Sequence, residues 1–161
     1  MSQTRTPPSE RIASSFKQLT ISSNDRRLAS DELCKAIEKL DIALNKAAPG
    51  VSAWHKIAGR EDEDRNFWSR DIGYCNVGNN WGIALRKTSG NHNVGIYEEQ
   101  VWLFKDAPPW MCTESVGKIP DLFDELIKRT DDTTKKLRAR ATEAEELAKG
   151  VVAATDEGEG W

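Results

Sequence analysis

Five side chains of the chain could supply a nucleophile, a base or soft metal ligands: Cys34, Cys75, Cys112, His55 and His92. A thiolate needs a neighbouring base or cation to react at neutral pH, so an enzymatic reading pairs Cys75 or Cys112 with His55 or His92. No local nucleophile signature accompanies either cysteine. Cys75 also falls in a stretch with strand character, where such a residue behaves as a small buried hydrophobe. As zinc ligands the same five lack the close pair, Cys-x-x-Cys or His-x-x-x-His, that structural zinc sites contain. No catalytic residue, metal or cofactor is therefore assigned from the sequence.

Two further stretches invite a chemical reading. "REDEDR", residues 60–65, concentrates four carboxylates that could hold a hard cation. It lacks the glycine and the distal glutamate that close an EF-hand loop, and a solvated hairpin loop accounts for it. "GYCNVGNNWGIAL", residues 73–85, has the first glycine spacing of a phosphate-binding loop, but Asn79 and Asn80 stand where Lys and Ser or Thr are required. Gly78 and Asn79 both tolerate positive φ, which a tight hairpin turn demands, so a hairpin is expected here.

The aromatic residues carry more information. Trp54, Trp68, Tyr74, Trp81, Tyr97, Trp102 and Phe104 cluster in one region punctuated by Gly and Asn. Strand alternation there places Trp68, Arg70, Ile72 and Tyr74 on one side, and Trp81, Ile83 and Leu85 likewise share a side. The expected core face comprises Ile72, Tyr74, Trp81, Ile83 and Leu85. The stretch 95–105 is ambiguous, because Tyr97, Val101 and Leu103 compete with Ile96, Trp102 and Phe104 for the core. Whichever set faces away would leave an apolar patch, and such patches mark interfaces or ligand surfaces.

These side chains must be positioned by a fold that the rest of the chain specifies. Residues 1–8 are polar and end in two prolines, a flexible lead-in. Ile12, Phe16 and Leu19 predict a short amphipathic helix over about 9–20, with "TISSND" as its break. Ser30 caps a second helix over 30–47, whose Leu33, Ile37, Leu40, Leu44 and Ala47 form one stripe, ended by "APG". Strands are expected near 51–58, 67–77, 81–88 and 95–105, joined by loops too short for parallel crossovers. After "DAPPW" a short helical turn is expected through "WMCTESV". A long helix then opens at Pro120 and runs to about 149, with Leu137, Ala141, Ala144, Ala148 and Val151 in four-three alternation. Residues 150–161 read as a disordered acidic tail. The fold class is α+β: one or two N-terminal helices, a four-stranded antiparallel meander and a long C-terminal helix, with the helices on one face of the sheet.

A chain of 161 residues is one ordinary domain in length, and its apolar fraction of 38% against 30% charged residues places part of it outside any core. The formal charge of −3 argues against a chain built to cover a nucleic-acid backbone, although the N-terminal third leans basic. Three widely spaced cysteines favour a reducing compartment, and no apolar run has the length of a signal peptide or a membrane span; a cytoplasmic protein is expected. The leading functional reading is a non-catalytic interaction protein, self-associating or binding a protein partner. Its surface would be the sheet face (Trp68, Trp102) and the C-terminal helix (Leu137, Ala141, Ala144). The alternative is a small-molecule binding domain or enzyme, whose pocket between sheet and helix would use Arg70, Arg86, Tyr74 and His55 on an anionic ligand.

Overall fold

The computed structural model describes residues 4–47 and 49–158. Helix α1 (Pro8–Ala47) is followed by strands β1 (Ala53–Glu61), β2 (Asn66–Val77), β3 (Asn80–Asn91) and β4 (Ile96–Leu103), a short helix α2 (Pro109–Ser115) and a long helix α3 (Ile119–Gly158). Single 3₁₀ turns, Phe104–Asp106 and Val116–Lys118, flank α2. The α+β class is thus the observed one. Among the described residues no helix is long and apolar enough to cross a membrane.

The chain divides into two units, residues 1–43 and 44–161. The described part of the first is almost entirely α1. Pro8 sits at the start of α1, where its missing N–H is no loss, and the Pro7 carbonyl accepts from the amides of Glu10 and Arg11 at 3.1 Å each. The two helices expected over 9–20 and 30–47 are one helix. "TISSND" does not interrupt it, because the segment contains neither Gly nor Pro. The polar residues cost only a few tenths of a kcal/mol each, roughly, and the Thr20 hydroxyl donates back to the Phe16 carbonyl at 3.0 Å. Ile12, Phe16, Leu19, Ile21 and Leu28 are exposed along this unit, whereas Ile37 is buried.

In the second unit the four strands form an antiparallel meander in the order β1-β2-β3-β4. Gly78 (φ 55°) and Asn79 (φ 67°) make the two-residue turn between β2 and β3, with Val77 opposite Asn80. The "GNN" segment is therefore a hairpin turn. Its register places Ile72 against Leu85 and Tyr74 against Ile83. All four are buried, together with Leu122 and Leu126 of α3, which lies against β1 and β2. Trp81 shares that face but is only half-buried. Strand β4 resolves its ambiguity by register: Trp102 stands opposite Leu85 on the helix-covered face, while Val101 and Leu103 stand opposite Arg86 and Ala84 on the other. In β1 the pairing slips between Lys56 and Ala58, a bulge that leaves Ile57 without an opposite residue.

Helix α3 outruns the expected boundary. Residues 150–158 are helical rather than a disordered tail, since Gly150 alone costs about 1 kcal/mol, no Pro follows it, and Ala153 and Ala154 are the best helix formers. Residues 159–161 lie outside the described ones, as do residues 1–3 of the expected lead-in.

The core face predicts its own sensitivity. Leu85 has no exposed surface and stands between its partners on β2 and β4 on the helix-covered side of the sheet. Leu85→Ala should lower the free energy of unfolding by about 2–5 kcal/mol, read as a shifted midpoint in urea titration with an unchanged slope.

Candidate interaction surfaces

Helix α2 presents two side chains to the sheet. Its first turn is set by Pro108, whose carbonyl accepts from the amides of Met111 (3.0 Å) and Cys112 (3.2 Å), while the Cys112 thiol donates to the Phe104 carbonyl at 3.3 Å. Met111 and Cys112 are thereby buried, and Trp110 and Glu114, four residues apart, fall on one side of the helix. Glu114 grips Arg70 of β2 with both carboxylate oxygens: Nε bonds Oε1, and Nη2 bonds Oε2 at 3.2 Å. The guanidinium also lies 4.4 Å from the Trp68 ring centre and 5.1 Å from that of Trp110. A flat cation between two indoles, fixed by a bidentate carboxylate, is a rigid arrangement. Trp110 stays 51% exposed and Trp68 36%, so the sandwich ends in solvent.

Arg86 is not part of it. The hairpin register pairs Arg86 with Asp71, not with Arg70, which places the two arginines on opposite faces of the sheet. Arg86 Nε donates to Asp71 Oδ2 at 3.3 Å, and its guanidinium lies 4.2 Å from the Trp54 ring centre. That ring covers Gly73, where a Cβ would come within 2.3 Å of it. The expected pocket uniting Arg70, Arg86, Tyr74 and His55 is therefore not assembled. Tyr74 is buried, its hydroxyl donating to Asn45 Oδ1 at 2.6 Å, and the Asn45 amide donates on to the Trp81 carbonyl at 3.2 Å. Beside this latch lies a cavity of about 360 Å³ bordered by Asn45, Gly50, Tyr74, Asn79, Asn80 and Trp81. His55 Nε2 stands 3.6 Å from Asp121 of α3.

The cysteines and the second histidine are occupied elsewhere. His92 stacks on Phe67 with ring centres 4.3 Å apart, and its backbone amide donates to the Arg65 carbonyl at the end of the sheet. Cys75 lies on the Arg86 face, where burial pushes its thiol up and the Arg86 charge offsets part of that shift. No disulfide joins the three cysteines. In the acidic loop, Asp62 bonds the backbone and side-chain amides of Asn66 at 2.9 and 3.3 Å. Among the described residues no group of three His, Cys, Asp or Glu side chains is arranged to hold a metal ion.

Helix α3 is the largest remaining surface. It docks through Ile119, Leu122 and Leu126, all buried. Beyond Leu126 only Thr130 and Thr134 retain partial cover, and every residue from Lys135 to Gly158 is exposed. Leu137 (65% exposed), Leu147 (68%) and Val151 (68%) are included, so the helix carries its apolar seam, Ala141 and Ala144 among it, into solvent. Of the residues singled out in the sequence, Trp68 and Arg70 meet, Trp102 and Tyr74 lie on the covered face, Arg86 on the opposite one, and Leu137, Ala141 and Ala144 on α3. Sequence reading missed Trp110, Glu114, Asp71 and Asn45. The Asp71–Arg86 pair alone had a local signal, because a two-residue turn at Gly78–Asn79 fixes which residues stand opposite.

No known protein family, curated protein or solved structure matches the chain.

Two outcomes test these placements. Alkylation at neutral pH should label Cys34, half-buried on α1, ahead of Cys75 and Cys112, which should react only as the protein unfolds; peptide mapping by mass spectrometry gives the order. Glu114→Ala removes both hydrogen bonds to a guanidinium held between two indoles and should destabilise the fold by about 1–3 kcal/mol, measured by denaturant unfolding.

Proposed function

We propose that this protein is a non-catalytic interaction module that binds a protein partner through the exposed seam of α3. The observation that carries the reading is the length of helix left bare: the 24 residues from Lys135 to Gly158 are all exposed, about 36 Å at 1.5 Å per residue. An isolated helix of this composition is marginal in water, and apolar residues at Leu137, Leu147 and Val151 gain nothing from solvent. A partner helix that covers the seam supplies the missing burial. The sheet adds the Trp68–Arg70–Trp110 cluster, whose two indoles reach solvent. A reducing compartment such as the cytoplasm suits three thiols outside any disulfide, and the net charge of −3 supports a protein partner over nucleic acid.

The test is native mass spectrometry of the full chain purified gently from its own cells, beside a Leu137→Asp variant. Position 137 is exposed and far from the buried core, so the variant should keep the near-ultraviolet circular dichroism of the sheet's tryptophans, the mark of an intact core. It should lose any associated protein mass. An associated mass that survives the substitution places the binding surface elsewhere.

A further inference from the structure

The charges of α3 are divided along its length in a way that names the partner. From Lys128 to Arg140 six basic residues stand against two acidic ones; from Ala141 to Gly158 five acidic residues stand against one basic. Its opening, with Asp121, Asp124 and Glu125, suits a solitary helix, but its end does not: the last turn carries Asp156 and Glu157 and no basic residue at the negative end of the dipole. Stabilisation of the helix by itself therefore does not account for it. Laid antiparallel on a copy of itself, however, such a helix puts each basic half along an acidic half. In parallel it puts like charge on like.

On these grounds we infer that α3 pairs antiparallel with α3 of a second copy of this chain, the two-fold axis passing between Thr142 and Glu143. The inference rests on the proposed role of the α3 seam and specifies its occupant. Thr134, Leu137, Ala141, Ala144, Ala148 and Val151 alternate by three and four, the spacing of one seam in a helix pair. About that axis, Ala141 meets Ala144 of the second copy, Leu137 meets Ala148, and Thr134 meets Val151. Ala141 and Ala144 of both copies at the centre let the axes approach toward the near end of the usual range of about 8–10 Å, with Leu137 against Ala148 and Val151 against Thr134 on either side. The same register sets Arg138 beside Glu145 of the second copy, and symmetry makes the pair twice. Within one chain these two are seven residues apart and do not meet. Arg140 already has an intrachain carboxylate in Glu143 at 2.6 Å.

The experiment is sedimentation equilibrium of the full chain and of two variants, Arg138→Glu and Glu145→Arg, alone and mixed in equal amounts. The unmodified chain should be a dimer that tightens as salt falls, since the facing halves attract within a Debye length. Each variant alone turns both symmetric pairs repulsive and should weaken the dimer about tenfold. Their mixture should restore it: the introduced carboxylate of one chain then faces the introduced guanidinium of the other, while the unchanged Glu145 and Arg138 face each other at the second place. Positions 138 and 145 are both exposed, and an unchanged near-ultraviolet circular dichroism from the tryptophans of the sheet serves as the folding control for each variant. A dimer that neither variant weakens, that the mixture does not restore, or that loosens as salt falls overturns the antiparallel pairing. A monomeric parent overturns self-pairing altogether; the broader reading then falls only if Leu137→Asp also leaves the associated mass in place.

Discussion

The burial of Leu122 and Leu126, where α3 lies against β1 and β2, is the contact on which the rest of the molecule's arrangement turns. It covers the face on which Ile72, Tyr74, Ile83 and Leu85 converge, and so gives the meander a core. It also fixes the direction in which α3 leaves the sheet. One helix thus belongs to the core over its first two turns, keeps partial cover at Thr130 and Thr134, and belongs to the solvent from Lys135 onward. The polar links around that contact are each local: Glu114 to Arg70 through α2, His55 to Asp121, Tyr74 to Asn45. Each ties a helical residue to the same face of the sheet, so the helix-covered side is held by charge-assisted and neutral hydrogen bonds at its rim and by apolar burial at its centre.

The opposite face follows another logic. Gly73, Gly82 and Ala84 are small and buried, and the Trp54 ring occupies the space above Gly73. Arg86 rests on that ring and is neutralised by Asp71. The indole thereby covers the backbone of β2 at Gly73, with the ion pair lying against its outer side.

Much of this was legible from residue types alone, because it depended on local geometry. Gly78 and Asn79 had to accept positive φ, and alternation assigned Ile72, Tyr74, Ile83 and Leu85 to one side. The placement of Trp102 needed the register of the hairpin at His92–Gly95, where Asn91 Oδ1 accepts from the amides of Asn93 and Val94; composition does not reveal such a turn. Glu114 was out of reach because it meets Arg70 across 44 residues of chain. The continuity of α1 was missed for the opposite reason: "TISSND" looks like a break by composition, yet contains no residue that forbids a helix. The exposed seam of α3 was readable as a pattern. That nothing among the described residues covers it beyond Thr134 was not, since docking is a property of the whole fold.

The bulge at Ile57 bears on what kind of assembly the protein can form. A regular edge strand is a template onto which another chain can add, and repeated addition gives fibres. Here the slip in β1 breaks the even spacing of outward amides, and the other edge, β4, displays Glu98, Glu99 and Gln100 to solvent. Both borders of the sheet are thereby poor templates. A two-fold helix pair, by contrast, uses each copy's seam once and is then complete. In the pairing inferred above, symmetry would set the stoichiometry at two, and the irregularity of one border strand would help to keep association from becoming indefinite.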